Sequence, residues 1–186
     1  MRIIAGSLRS RRFEAPPGLA TRPTSYRLRE TLFNVLAART DGAAFLDLYA
    51  GSGAVGMEAL SRGAARVVFV ERAAAALKVL RENLVRLGLG DGVEVRAESA
   101  GTFLRRGSSG SGFDLVFLDP PYDAEGEYET VLELLGRDAV GWLNPGAVVI
   151  AEHRRNDVLK NRYGPLERTR LLQQGDAALS FYSTGS

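Results

Sequence analysis

The chain has 186 residues, 45% hydrophobic and 25% charged, with a formal net charge of +2, a length that suits one α/β domain with a full core and a short extension. It has no cysteine and one histidine, which excludes disulfides and thiolate-metal sites and sets aside zinc, so no metal is expected. No apolar run approaches bilayer thickness and residues 1–10 (MRIIAGSLRS) contain no signal-type stretch, so a cytoplasmic protein is expected.

Read in chain order, the first 23 residues contain Gly6, Pro16, Pro17, Gly18 and Pro23; these exclude a long helix but allow a short hairpin between residues 2–4 and 12–14. Thr24 or Ser25 can cap a helix reaching about residue 38, with Leu28, Leu32, Val35 and Leu36 on one face. Charge is concentrated here. Residues 1–40 carry eight arginines (Arg2, Arg9, Arg11, Arg12, Arg22, Arg27, Arg29, Arg39) against Glu14 and Glu30, whereas the rest of the chain carries 16 basic and 20 acidic side chains. Clustered guanidiniums attract phosphates and release counterions, so this asymmetry suits a polyanion; a solvated basic tail accounts for it equally well. Arg22, Arg27 and Arg29 stand near a helix start, where the helix dipole gives a cation nothing, which favours a ligand for them.

From residue 44 strands and helices alternate: a strand over 44–49, a helix over 52–61, a buried strand over 66–71 (RVVFVE), a helix over 73–87 closed by Gly88, a strand over 93–98 and a short helix over 100–106. After the flexible stretch 107–112 (GSSGSG) come a buried strand over 113–119 (FDLVFLD), a helix over 127–137, a fifth strand over 147–152 and a short helix from Asn156 to about residue 161. Residues 166–173 and 178–183 read as strands joined by a turn at Gly175 and Asp176. Five strand–helix units and a hairpin indicate a doubly wound, mostly parallel α/β sheet. One domain (41–186) with a basic arm and helix (1–40) covers the chain.

Between the first strand and its helix lies DLYAGSGAVG (47–56). Gly51 and Gly53 permit a tight turn and close approach of a ligand to the backbone, and Gly56 lets helix and strand pack closely. Glu71 ends the next strand, where a carboxylate can accept both hydroxyls of a ribose. A dinucleotide dehydrogenase shares these features. A cofactor without a pyrophosphate but with a methionine ammonium group needs a carboxylate before the turn, and Asp47 stands there.

The fourth strand ends in Asp119-Pro120-Pro121-Tyr122, at the carboxyl edge where such sheets bind ligands. Two prolines stiffen the turn and leave carbonyls as oriented acceptors. Asp119 and the Pro120 carbonyl can together accept both hydrogens of an amino group, and Tyr122 offers a ring for a base to stack on. An exocyclic base nitrogen is a poor nucleophile because its lone pair is delocalised. Gripping its hydrogens favours a pyramidal nitrogen aimed at a methyl donor, in an in-line displacement that needs no strong base.

The strand pattern, DLYAGSGAVG and DPPY look like the class I amino-methyltransferases. RIIAGSLRSRRF (2–13), TRPT (21–24) and RLRETLFN (27–34) resemble the RsmD family of 16S ribosomal RNA guanine-N2 methyltransferases, over residues 2 to about 152. The resemblance implies a seven-stranded Rossmann-like sheet, S-adenosylmethionine as cofactor, and 16S RNA of the small subunit or its precursor as partner. It further implies that Asp47, Tyr49, Gly51, Ser52, Gly53, Glu71, Arg72, Glu98, Ser99 and Asp119 form the cofactor site. Asp119 to Tyr122 would hold the guanine amine. Arg22, Thr24, Arg27 and Arg29, with Arg9, Arg11 and Arg12, would face the RNA. A monomer is expected. Two departures stand out: Ser25-Tyr26 replaces the family's Thr-Asp, and Ser99 stands where an Asp or Asn often meets the adenine amine. Three alternatives stay open: a DNA adenine or cytosine amino-methyltransferase, an NAD-dependent oxidoreductase and a non-catalytic RNA-binding assembly factor. Elsewhere, His153 reads as an exposed strand-end residue, Trp142 as core, Arg105 and Arg106 as a solvated helix end, and Asp123, Glu125, Glu127 and Glu129 as a solvated loop and first helical turn.

Overall fold

A single twisted sheet orders the chain in the computed structural model, which describes residues 1–15, 26–108, 110–121, 124 and 126–185. The parallel strands are β1 (Ala44–Asp47), β2 (Arg66–Val70), β3 (Val93–Arg96), β4 (Phe113–Leu118) and β5 (Leu143–Arg154). β6 (Arg162–Tyr163), β7 (Leu166–Gln174) and β8 (Ala177–Thr184) complete it, in the order β3-β2-β1-β4-β5-β8-β7-β6. Pairing is parallel from β3 to β5 and antiparallel from β5 to β6. The order reverses between β1 and β4, and a crevice opens at such a switch point beyond the strands' carboxyl ends. Expected as seven strands, the sheet has eight among the described residues, because two residues of β6 add a short edge to β7.

Side chains alternate across the strands and build two cores. Phe45, Phe69, Leu115, Phe117 and Ile150 face one side, covered by α1 (Tyr26–Val35), α3 (Ala54–Ser61) and α4 (Ala74–Leu87). Leu46, Val68, Val116, Leu118 and Val149 face the other, covered by α5 (Ala100–Arg105), α6 (Glu127–Arg137) and α7 (Ala139–Trp142). Trp142 is buried there against Phe103 and Phe113. No helix among the described residues is long and apolar enough to cross a membrane.

Three local expectations need correction. The helix expected to run to residue 38 ends at Val35, and α2 (Ala37–Thr40) follows a break at Leu36, whose carbonyl takes the Thr40 hydroxyl at 3.0 Å. The capping residues proposed for its start, Thr24 and Ser25, lie outside the described residues. β5 begins four residues early, since a register shift in its pairing with β4 accommodates Pro145 and Gly146. No helix forms at 156–161: Asp157 accepts the Arg154 amide and the Tyr163 hydroxyl accepts the Lys160 amide, bonds that hold a turn and an extended approach to β6.

The basic N-terminal segment is docked. Arg2 pairs antiparallel with Arg12, and Ile3 and Phe13 join Leu28, Leu32 and Phe33 in the first core. Polar anchors come from α3: Glu58 accepts the amides of Ile4 (2.8 Å) and Ala5 (3.0 Å), and Ser61 accepts the amide of Leu8 and donates to the carbonyl of Ala5.

Candidate active site

β1 delivers the chain to the glycine loop, and the loop's geometry follows from its small residues. Gly53 caps α3 at φ 84°, a conformation that glycine adopts without strain; a Cβ there would lie 2.4 Å from Leu80 Cδ1, and one at Gly56 would lie 2.2 Å from the Phe69 ring. α3 therefore packs hard on β2. At Gly51 a Cβ would meet nothing within 4 Å, so the outer side of the turn is open. The Gly51 amide donates to Glu71 Oε2 at 2.9 Å and the Ala73 amide to Oε1 at 2.7 Å. Both bonds fix the carboxylate, and each oxygen keeps lone-pair capacity for a further donor.

Two acids here form no ion pair with a described residue, Asp47 at the turn and Asp119 close enough to feel its charge. Asp47 is 1% exposed and accepts the Gly56 amide at 3.1 Å. Burial pushes its carboxyl up to about 7, with Glu71's negative charge adding to the rise and the Gly56 amide opposing it. Asp119, just past β4, lies deep among protein atoms yet keeps a partly open face, as the floor of a recess does. Burial holds its carboxyl well above the usual carboxylate range, and the charges of Glu152 and Asp47 push the same way. It accepts no hydrogen bond from a described residue. The two prolines that follow differ: the Pro121 carbonyl takes the Ala124 amide at 2.9 Å, whereas the Pro120 carbonyl accepts no backbone hydrogen bond from a described residue. Tyr122 lies outside the described residues.

The far side of this turn is tied down by Tyr49, which the sequence assigns to the cofactor site, and by Glu127 and Tyr128 of α6; Glu127, read from the sequence as solvated, is instead engaged. Tyr49, after β1, donates its hydroxyl to Glu127 Oε2 at 2.5 Å, and Tyr128 donates to the Glu152 carbonyl at 2.8 Å. Burial, then the Glu127 carboxylate, holds the Tyr49 phenol above its ordinary range. The start of α6 is thus fastened to the loop after β1 and to β5.

The remaining assigned residues are spread over several elements. Arg72 is exposed after β2. After β3, Glu98 pairs with Arg106 at 2.6 Å, so that arginine is engaged and not simply solvated, and Ser99 caps α5 through the Thr102 amide at 3.1 Å. Ser52 is buried; its hydroxyl turns towards Met1 Sδ, 4.0 Å away, and its carbonyl accepts from Asn83. Arg9, Arg11, Arg12 and Arg27 are exposed, with Arg11 also reaching the Arg86 carbonyl at 3.2 Å; Arg22 and Thr24 lie outside the described residues. The hairpin's turn sits by Ser61, at the far end of α3 from the glycine loop, about 12 Å along an eight-residue helix.

Two expectations are overturned. Arg29 does not face a ligand: it is 1% exposed, donates to the Arg2 carbonyl at 2.7 Å and lies 3.7 Å from Glu58, because α1 packs that face against the hairpin. Burial lowers its guanidinium below the ordinary value, and Glu58 opposes this. His153 is likewise buried, since β8 covers β5 there. In the neutral ring its Nδ1 donates to the Arg154 carbonyl (2.8 Å) and Nε2 accepts the Ser180 hydroxyl (2.9 Å); burial lowers its pKa. Glu58 and Asn83 were missed, though each carries a sequence signal: a polar residue on the apolar face of an amphipathic helix.

Comparison with known proteins completes the description. The family model described as conserved hypothetical protein 95 matches residues 1–183. A Bacillus subtilis relative named as a putative rRNA methyltransferase, YlbH, is 36% identical over 183 residues, 98% of each chain. The Escherichia coli K12 protein named ribosomal RNA small subunit methyltransferase D is 40% identical over 152 residues, 82% of this chain and 74% of its own. Among solved structures, an Escherichia coli putative methyltransferase, yhhF, superposes with a TM-score of 0.87 at 35% identity, over 99% of this chain and 97% of its own. A Haemophilus influenzae putative methylase superposes at 0.81 with 32% identity, over 97% and 96%.

Proposed function

The chain belongs to the conserved hypothetical protein 95 family, the RsmD family that its motifs resemble, and from that premise we propose that it methylates the exocyclic N2 of a guanine in 16S ribosomal RNA, within the small subunit or its precursor, using S-adenosylmethionine. The carrying observation is Asp119: a deep, partly open carboxylate just past β4, with no hydrogen bond from a described residue and, next to it, a Pro120 carbonyl that accepts no backbone hydrogen bond from a described residue.

The residues fit a cationic cofactor. Asp47 forms no ion pair with a described residue, its carboxyl is raised by burial, and the outer side of Gly51 is open. When bound, S-adenosylmethionine supplies an electrophilic sulfonium methyl and an ammonium group. Asp47 is assigned to the ammonium, Gly51, Ser52 and Gly53 to the wall of the site and Glu71 to the ribose. Tyr49 is assigned to holding the rim, with Arg72, Glu98 and Ser99 along the edge towards the base. Asp119 and the Pro120 carbonyl accept the two hydrogens of the guanine amine, which localises the nitrogen lone pair for the new N–C bond as the S–CH3 bond of the methyl donor breaks and its electron pair stays on sulfur. Positive charge on that nitrogen is stabilised by the same acceptors, and one of the gripped protons is then lost to water. Tyr122 is assigned to stacking on the extruded base, and the exposed Arg9, Arg11, Arg12 and Arg27, with Arg22 and Thr24, to the RNA. The docked hairpin places Arg9 about one short helix away from the chemistry, a reach that suits phosphates flanking the target.

Incubation with methyl-labelled cofactor and unmodified small subunits should yield N2-methylguanosine in 16S RNA. Label in duplex DNA instead, or stabilisation by NAD without response to S-adenosylmethionine, would overturn the reading. In the same assay, changing Arg9, Arg11 and Arg12 together to Ala should weaken RNA binding and flatten its salt dependence, with the logarithmic slope falling by roughly 2–3; an unchanged slope removes the hairpin from the interface.

Asp47 links cofactor binding to pH. Its folded pKa is raised to about 7 from an unfolded value near 3.9, so its contribution to stability is present below the lower value and is lost as pH rises through the upper one. A cationic ligand prefers the ionised form and reverses that loss. Affinity for S-adenosylmethionine should therefore rise about fivefold from pH 6 to pH 7, a window in which the ligand's own α-amine stays mostly protonated. The Asp47→Asn variant should bind weakly with a flat profile; a wild-type profile equally flat would remove Asp47 from the ammonium site.

A further inference from the structure

We propose that Asn83 is a positioning residue that couples the seating of the N-terminal hairpin to that of the glycine loop, so that cofactor and RNA bind cooperatively. The inference rests on the functional reading above, which puts the cofactor at the loop and RNA at the hairpin. Asn83 lies in the last half of α4, on the stripe formed by Leu80, Leu84 and Leu87, and is 0% exposed. Asparagine is a poor helix-interior residue, and a buried amide is tolerated only when its hydrogen bonds are made. Here they reach out of the helix. Nδ2 donates to the Ser52 carbonyl at 3.0 Å and to the Glu14 carbonyl at 2.9 Å, and Oδ1 accepts the Glu14 amide at 2.9 Å.

One side chain therefore clamps the last residues of the hairpin to the middle of the glycine loop. The connection continues through the adjacent Gly51 amide to Glu71. Met1 stands beside Ser52 as well and receives the Phe13 amide at its carbonyl, so both open ends of the hairpin converge on the loop. The hairpin's turn is separately anchored on α3 by Glu58 and Ser61. Ordering Ser52 by a ligand at the loop orders Glu14 through a shared amide, and RNA held by the hairpin orders Ser52 by the same bonds. Linkage makes the effect reciprocal.

The test uses S-adenosylhomocysteine as the loop probe and unmodified small subunits as the RNA probe, with each affinity measured in the absence and at saturation of the other. The wild type should show mutual tightening of about fivefold or more, within the usual range of allosteric coupling. Asn83→Ala removes all three bonds, and Asn83→Asp keeps only the acceptor for Glu14; both should bring the coupling factor close to one, whatever happens to each separate affinity. A merely structural residue would lower stability or both affinities and leave the factor unchanged, so a folded variant with wild-type coupling overturns the proposal. Because the variants can lose stability, amide hydrogen exchange on the wild type gives an independent reading: S-adenosylhomocysteine should slow exchange at the Glu14 amide, and no slowing overturns the link. Binding of the probe without coupling to RNA sinks this inference alone, whereas no binding of the probe sinks the functional reading with it.

Discussion

Replacing Asp119 with Ala should lower methyl transfer to below about one-thousandth of the wild-type rate while leaving cofactor affinity within about threefold. Removal of one preorganised group that stabilises developing charge typically costs 10²–10³ in rate, and here the same group also orients the nucleophile. The separation of rate from affinity follows from position. Asp119 lies past β4, whereas the residues assigned to the cofactor's ammonium and ribose follow β1 and β2. Asp119→Asn keeps an acceptor oxygen and should retain far more activity than the Ala variant. It also removes an acid whose carboxyl is held up by burial and by the charges of Glu152 and Asp47. A raised folded pKa means that ionisation destabilises the ligand-free protein as pH rises. The Asn variant should therefore melt higher than the wild type at neutral pH and alike in acid, and should lose the part of the acidic limb of the pH–rate profile that Asp119 supplies. Full activity in the Ala variant would remove the amine-gripping role.

Glu58→Ala should lower the melting temperature by roughly 10 °C and release the N-terminal hairpin. Glu58 is 0% exposed and receives the amides of Ile4 and Ala5, Arg62 Nε at 2.8 Å and the approach of Arg29 at 3.7 Å. Its loss strands two amides and leaves the buried Arg29, two of whose guanidinium nitrogens already lack a hydrogen bond, beside Arg62 with no counter-charge. Breaking a buried pair from one side costs about 3–5 kcal/mol, and in a protein of this size each kcal/mol moves the melting temperature by about 2–4 °C. Calorimetry measures the shift, and trypsin should cut earlier at Arg9, Arg11 and Arg12, which are exposed in the docked hairpin. A shift under 2 °C with unchanged proteolysis would show that Ile3 and Phe13 hold the hairpin without help from α3.

Much of the site is legible without coordinates, for a local reason. The glycine loop and the DPPY turn are contiguous strand-end segments, and their neighbours in sequence dictate their strand–turn–helix setting; Gly53 and Gly56 behave as their spacing requires. Arg29 and His153 were misread because charge and strand-end position say nothing about which surface another element covers. Both are sealed by partners distant in the chain, Arg29 by the hairpin through Arg2 and by Glu58 of α3, and His153 by Ser180 of β8. Asn83 and Glu58 went unread because a polar residue on an apolar helix face signals a partner without identifying it.

The chain's own order of residues determined the alternation of strands and helices, the acid and rigid carbonyls after the fourth strand, and the family to which those motifs point. Hydrophobic period, turn chemistry and peptide geometry act over a few residues and need no further partner. Only the tertiary structure decided that Asp47 and Asp119 are poorly solvated with raised carboxyls, Asp119 under the charges of Glu152 and Asp47, and that the basic segment is clamped to the glycine loop. Both depend on side chains many residues apart being brought within bonding distance, where burial strips away water and strengthens each charge and hydrogen bond.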